Sequence, residues 1–334
     1  MPAFGQVDQR LESKLVELYR LHKERSAKID WSYHEFLPIS RRLKLNDVRP
    51  DGSDDLARAD LFEREIVIVQ DPRRSMLSPE IYLAVETALL TEVNLPWFTT
   101  ELYSTFKGSL KVLIDFVHTW TAEEDQHGDL LDTYLLLTGN GDALERRKLR
   151  KTVVEGGFET GLTTALETMV YTTIQERATM AFYLNVAQAC ESQDPGLARV
   201  LRRLARDETL HYAFYRDAVK AHLEINPNLV QLVTDVMLNF EMPGRGMPDY
   251  ERRVAIIAKH AHYGPAEYYS QVLDELMSQW DIRRLQPTYP EAREALQKAI
   301  AHVDRLARIA ARGARNRPAP AKAEAEDRLA HGEN

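Results

Sequence analysis

Two short segments of this chain share one pattern, and it constrains folding more than any other feature. Glu124-Asp125-Gln126-His127 and Glu208-Thr209-Leu210-His211 each place a carboxylate three residues before an imidazole. In a helix, positions i and i+3 lie about one turn apart on the same face, so each pair addresses one region of space. The neighbours determine where that face points. Leu113, Phe116, Trp120, Glu124, His127, Leu131 and Tyr134 follow a three-four spacing, as do Leu197, Leu201, Leu204, Glu208, His211 and Tyr215. Polar residues with metal-ligand chemistry therefore interrupt apolar seams, where an unpaired buried carboxylate is costly and something must compensate it.

Two other stripes each carry one glutamate. Ile81, Val85, Ala88, Glu92 and Leu95 form the first; Leu166, Met169, Glu176, Met180 and Tyr183 form the second, with Thr173 as its polar interruption. Glu92 precedes Glu124 by 32 residues, and Glu176 precedes Glu208 by the same 32. The chain repeats one unit, a helix with Glu followed by a helix with Glu-x-x-His. A lone Glu-x-x-His occurs by chance on surface helices. Solvated faces or salt bridges would have to explain six coincident inward positions at matched spacing. The repeated unit resembles the arrangement of ferritin-like di-iron and di-manganese bundles. The fold expected is all-α, a ferritin-like four-helix bundle with additional helices at both ends. Four carboxylates and two imidazoles suit a pair of iron or manganese ions with positions left open for oxygen chemistry.

The remaining chain fits around that bundle. Leu11, Leu15, Leu18 and Leu21 predict a first helix to about residue 26. Periodicity then fades over a long entry segment, about 27–77, punctuated by Pro38, Asn46, Pro50, Gly52 and Pro72. Helices are expected near 79–105, 108–138, 160–191, 195–224 and 228–241, with more helix from about residue 250 through 312. Ser78-Pro79 reads as a helix start, Gly139 as a stop, and Asp194-Pro195-Gly196 as a break between helices. Pro96 lies four residues after Glu92 and lacks the amide that would bond the Glu92 carbonyl, which predicts a kink there. Residues 1–312 are read as a single domain. The tail 313–334, rich in alternating Ala, Lys and Glu, is read as disordered.

Composition narrows the function classes. A formal net charge of −8 disfavours general nucleic-acid binding. No apolar run is long enough to span a bilayer, and residues 1–20 lack the apolar core of a signal peptide, so a cytoplasmic protein is expected. A single cysteine, Cys190, excludes an intrachain disulfide and a zinc site built on paired thiolates; it reads as a small core residue. His260 and His262 stand two apart and do not face one another on a helix, so they are not expected to bind metal together. Arg202, Arg203, Arg206, Arg283 and Arg284 offer positive charge to an acidic partner, although such clusters are usually solvated.

Beyond the ligand pattern, the flanking words are specific. Trp120-Thr-Ala-Glu-Glu-Asp-Gln-His-Gly-Asp-Leu-Leu131 and Gln175-Glu-Arg-Ala-Thr179 closely resemble the motifs of soluble acyl-[acyl-carrier-protein] desaturases. Asp207-Glu208-x-x-His211, Thr91-Glu92-x-x-Leu95-Pro96 and Trp31 with Phe36-Leu37-Pro38 fit the same family, and the resemblance runs in order from about residue 10 to 290. It implies a homodimer and a centre of two iron ions that activates O2. It further implies an acyl chain carried as a thioester on acyl carrier protein, and electrons from a ferredoxin. Glu92, Glu124, His127, Glu176, Glu208 and His211 match the family's metal ligands. Thr179 matches a threonine beside the oxygen-binding region, and its alternative is a hydroxyl bonded to its own helix. Trp31 and Asp207 match a pair proposed to lead electrons to a metal-bound histidine, here His127; a buried anchor is the alternative for Trp31. Departures from plant members are Val93 after Glu92, Gln126 in place of an arginine, and a shorter connection between Arg150 and Thr160.

Other readings stay open at this level. Another di-iron oxidase or oxygenase, such as an N-oxygenase, would use the same ligands. A radical protein of the ribonucleotide-reductase type would need a suitably placed tyrosine, Tyr183 or Tyr215. Iron storage would require a cage-forming bundle with little extra chain, which the long entry segment and the C-terminal helices disfavour.

Overall fold

Some of the helices start where a side chain caps the first turn. Ser78 accepts from the Ile81 amide with Pro79 in the first turn, and Asp194 accepts from the Leu197 amide at 3.0 Å with Pro195 behind it. Thr164 and Glu167 form a reciprocal capping box, so the helix expected from residue 160 begins at Ala165. In the computed structural model, residues 9–44, 65–69 and 76–315 are described. They form α1 (Gln9–Ser26), α2 (Pro79–Glu92), α3 (Leu95–Phe106), α4 (Lys111–Leu137), α5 (Ala143–Gly156), α6 (Ala165–Cys190) and α7 (Pro195–Ile225). Then come α8 (Val230–Asn239), α9 (Tyr250–His260), α10 (Pro265–Tyr268), α11 (Asp274–Gln279) and α12 (Pro290–Arg315). A widened helical turn over Tyr269–Leu273 joins α10 to α11.

The four-helix bundle is α2, α4, α6 and α7, with α6 and α7 packed along their length. The segment expected as one helix over 79–105 is two. α2 stops at Glu92, and the amides of Trp97 and Phe98 both bond the Asn94 carbonyl to start α3. Pro96 is the physical cause, since it has no amide to continue the ladder from Glu92. α4 ends where predicted, with Gly139 in the left-handed region at φ 69°.

Two features depart from the sequence reading. Helix α5 was not expected; Asp142 caps it, and only Arg146 and Val153 are buried, which leaves almost no apolar stripe to detect. Within the entry segment, β1 (Ile39–Lys44) pairs antiparallel with β2 (Glu65–Val69), an irregularity falling between Ile39 and Arg41. Apart from this ribbon, the described residues are all-α. The rest of the entry segment (45–64 and 70–75) and the tail from residue 316 lie outside the described residues, while α12 itself continues through Gly313.

Apolar packing divides into two main clusters. One gathers Phe116 and Trp120 of α4, Ile174 and Ala178 of α6, and Tyr215 of α7 with α1, α8 and α12. The other gathers Leu130 and Leu131 of α4, Tyr183 and Val186 of α6, and Leu201 and Leu204 of α7 with α2 and α9. The same three helices build both, and the stretch between holds Glu124, His127, Glu176, Glu208 and His211, all buried. A polar layer thus separates two cores.

Candidate metal centre

The six residues singled out by spacing meet in that layer. Glu92 ends α2, Glu124 and His127 lie on α4, Glu176 on α6, and Glu208 and His211 on α7. His127 Nδ1 lies 3.0 Å from Glu124 Oε2, 3.4 Å from Glu208 Oε1 and 4.0 Å from Glu92 Oε2. His211 Nδ1 lies 2.7 Å from Glu124 Oε1, 3.7 Å from Glu176 Oε2 and 3.9 Å from Glu208 Oε2. Glu124 and Glu208 therefore each turn one oxygen to each histidine, whereas Glu92 belongs with His127 and Glu176 with His211. Two groups of donors result, one of Glu124, Glu176, Glu208 and His211 and one of Glu92, His127 and Glu208, each with donor atoms within 4.8 Å of one another.

The donor chemistry fits two divalent cations. Glu124 Oε1, Glu208 Oε1 and both Nδ1 atoms are buried without a hydrogen-bond partner, although they crowd one small space. Burial, and next the charge of Glu124, raise the Glu92 pKa to about 7. Burial likewise pushes Glu208 well up, with Glu124 and Glu176 adding to it. Burial opposes protonation of His127 and His211, but the surrounding carboxylates, Glu124 foremost, overcome it and raise both. Glu124 moves the other way, because the His127 and His211 charges outweigh burial and hold its pKa down to about 2.

Each imidazole is aimed from behind by an acid of the opposite helix. Asp207 Oδ2 accepts from His127 Nε2 at 3.3 Å, and Glu123 Oε2 accepts from His211 Nε2 at 2.9 Å. Each acid directly precedes a ligand-motif glutamate in sequence, and the crossed pairing appears only in the fold. Trp31 Nε1 donates to the same Asp207 oxygen at 2.6 Å, and Arg203 pairs with the other. Arg203 is thereby removed from the candidates for an acidic partner: it is buried, with its guanidinium 5.0 Å from the Trp31 ring. Arg202, Arg206, Arg283 and Arg284 are exposed.

Three contacts on this centre escaped the sequence reading. Trp120 Nε1 donates to Glu176 Oε1 at 3.0 Å, and the Tyr183 hydroxyl donates to Glu92 Oε1. His22 of α1 donates through Nε2 to Glu123 Oε2 at 2.9 Å. Trp120 and Tyr183 stood on the right stripes but looked like core aromatics. Nothing in the His22 spacing singled it out. Tyr215 is also buried, but its hydroxyl has no hydrogen-bond partner among the described residues.

An apolar cavity of about 280 Å³ adjoins the ligands. Ala88, Phe182, Ile257, Tyr263 and Tyr268 line its walls, and it meets the metal layer at Thr91, Glu92 and Thr179. Thr179 stands at this junction. Thr168, Thr172 and Thr173 of the same helix donate to carbonyls four residues back; no such bond ties Thr179 among the described residues. Cys190 is buried, as expected, and His260 and His262 join no group of possible metal ligands among the described residues. No described helix is long and apolar enough to cross a membrane.

Comparison with known proteins places this geometry in context. The sequence model of the family described as Fatty acid desaturase matches residues 6–329. The protein named acyl-[acyl-carrier-protein] desaturase DesA1 of Mycobacterium tuberculosis is 30% identical over 277 residues, covering 80% of this chain and 76% of its own. Stearoyl-[acyl-carrier-protein] 9-desaturase 6, a chloroplastic protein of Arabidopsis thaliana, is 30% identical over 253 residues, 71% of this chain and 64% of its own. In shape, the X-ray structure of acyl-ACP desaturase DesA2 from Mycobacterium tuberculosis superposes with a TM-score of 0.58 at 20% identity, covering 86% of this chain and 99% of that one. That likeness speaks to the helical fold alone. With the family model spanning nearly the whole sequence and relatives at this identity, the chain belongs to the fatty acid desaturase family, that of the acyl-[acyl-carrier-protein] desaturases.

Proposed function

We propose that this protein is an O2-dependent acyl-[acyl-carrier-protein] desaturase, which introduces a double bond into a fatty acyl chain held as a thioester on acyl carrier protein. The observation that carries this reading is the meeting of an apolar cavity with a carboxylate and imidazole cluster at Glu92 and Thr179. Breaking an unactivated C–H bond is beyond any acid or base side chain. A reduced iron pair, when bound, supplies that oxidising power from O2. The balance is simple: two hydrogens leave adjacent methylenes, and with two electrons and two protons from outside they reduce O2 to two waters.

The chain's own residues provide the rest. Glu124, Glu176 and His211 would hold one ion and Glu92 with His127 the other, with Glu208 belonging to both donor groups and Glu124 turning its second oxygen to His127. Trp120 and Tyr183 hold the Glu176 and Glu92 carboxylates by one oxygen each and leave the other free. The cavity wall confines an alkyl chain and excludes water, so depth along it selects which carbons face the ligands. The Thr179 hydroxyl, with no bond to its own helix, is suited to hold or pass a proton at that junction. Trp31, Asp207 and His127 form a continuous hydrogen-bonded path inward, the route we assign to electrons from a ferredoxin. A homodimer in the cytoplasm, with residues 1–312 as one domain, completes the reading.

The test supplies purified protein with reductase, ferredoxin and a series of acyl-carrier thioesters and then locates the double bond by mass spectrometry. Desaturated product is expected, and Glu176→Ala is expected to abolish it with the fold retained. Full activity in Glu176→Ala would remove Glu176 from the ligand set, and no product with any acyl thioester would reject the desaturase reading.

A further inference from the structure

The two imidazoles of the centre are held by matching constructions, and only one matches the pair expected from the sequence. On one side Asp207 Oδ2 receives two ring N–H groups, His127 Nε2 and Trp31 Nε1, while Arg203 takes Oδ1. On the other side Glu123 Oε2 receives two ring N–H groups, His211 Nε2 and His22 Nε2, each at 2.9 Å, while the Ser26 hydroxyl donates to Oε1. The rings correspond as well. Trp31 stacks toward His127 with centroids 6.4 Å apart at 30°, and His22 toward His211 at 5.9 Å and 28°. Both outer rings come from the N-terminal segment, His22 near the end of α1 and Trp31 just beyond it.

His22 is only 3% exposed, and its ring lies against Phe116 and Phe214. A phenyl ring would serve that packing without a polar cost. His22 instead leaves Nδ1 buried with no partner among the described residues, a penalty that the bond from Nε2 to Glu123 offsets. Glu123 is the carboxylate that fixes the tautomer of His211: by accepting from Nε2 it leaves Nδ1 as the atom that faces the ligands. We infer that His22, with Ser26, is a positioning residue for the metal site built on His211, the counterpart of Trp31 at His127. The two sites then differ in kind. An oxidisable indole and a guanidinium back one, and an imidazole and a hydroxyl back the other, so the N-terminal segment makes the two ions inequivalent while clamping both.

This inference rests on the metal reading proposed above, and one titration separates the two. Full-length protein is stripped of metal and titrated with Co2+ under chelator competition, with stoichiometry and visible absorption recorded. Wild type is expected to bind two ions. His22→Phe keeps the ring and removes the donor, and it should weaken one of the two ions about tenfold or more, the usual scale for losing such an outer partner. His22→Gln places an amide N–H near the Nε2 position and should restore affinity to within about threefold. Two ions bound at wild-type affinity by His22→Phe would overturn the inference and leave the metal reading intact. A loss in His22→Gln as large as in His22→Phe would also overturn it, because ring packing would then be the cause. A wild-type chain that binds no pair of ions overturns both readings. Should His22→Phe fail to fold by circular dichroism, Ser26→Ala decides: it is expected to weaken the same ion, and unchanged binding would overturn the inference.

Discussion

At the scale of single residues, burial and crowding favour the protonated form of most groups in the centre, Glu124 excepted. Burial, and then the neighbouring Glu124, raise the Glu92 pKa to about 7 from an ordinary 4.5, and Glu208, His127 and His211 are all raised too. All four shifts have one sign. A group whose folded pKa lies above its unfolded value stabilises the fold at low pH, and that contribution disappears as pH rises through the folded value. The metal-free protein should therefore lose stability as pH rises through about 7, the window set by Glu92. Cations must displace the same protons, so affinity for Fe2+ or Co2+ should rise from pH 6 to pH 8 with net proton release. Calorimetry in two buffers of different ionisation heat measures that release directly. An affinity flat across this range would contradict the protonation pattern. The six residues that meet in the centre were legible in the sequence, since they lie within a turn of one another or at a repeated spacing. His22 was not, because a lone histidine on an amphipathic helix carries no mark of its remote partner.

At the scale of elements, helix ends were legible where a side chain satisfies an amide locally. Ser78, Asp194 and Gly139 act as read, and Pro96 divides α2 from α3 rather than only bending it. Asp194 is the most exacting of these, because it caps α7 and also accepts the buried Tyr134 hydroxyl at 2.8 Å. Asp194→Ala should lose the cap, about 1 kcal/mol, and orphan that hydroxyl at about 1–3 kcal/mol. A destabilisation of about 2–4 kcal/mol in urea unfolding is expected, and one below about 0.5 kcal/mol would show that the turn is held by other contacts. Helix α5 and the β1–β2 ribbon were missed for different reasons. α5 buries only Arg146 and Val153, so its apolar period is faint. The ribbon joins two strands of six and five residues that stand far apart in sequence, and nothing within either strand announces its partner.

At the scale of the whole molecule, the polar layer is sandwiched between two apolar clusters that α4, α6 and α7 share. That arrangement protects the ligands from water on both sides while the cavity reaches them from the flank. Two assemblies would follow from the competing functions. A desaturase predicts a dimer, and a storage protein predicts a large shell. Size-exclusion chromatography with light scattering on the full chain is expected to give the dimer, and a shell of many copies would favour storage instead.

The sequence by itself determined which six carboxylates and imidazoles meet in the polar layer and on how many helices they stand, because helical periodicity and the 32-residue repeat are properties of neighbours along the chain. Tertiary structure alone decided the rest. It crossed the acids, sending Glu123 to His211 and Asp207 to His127 over separations of 88 and 80 residues. It brought Trp31 to Asp207 across 176 residues and Tyr183 to Glu92 across 91, and it opened a cavity beside Thr179. These contacts depend on how each helix is rotated about its axis and how closely neighbours approach. That is fixed by the packing of both clusters at once, and no single stretch of sequence contains it.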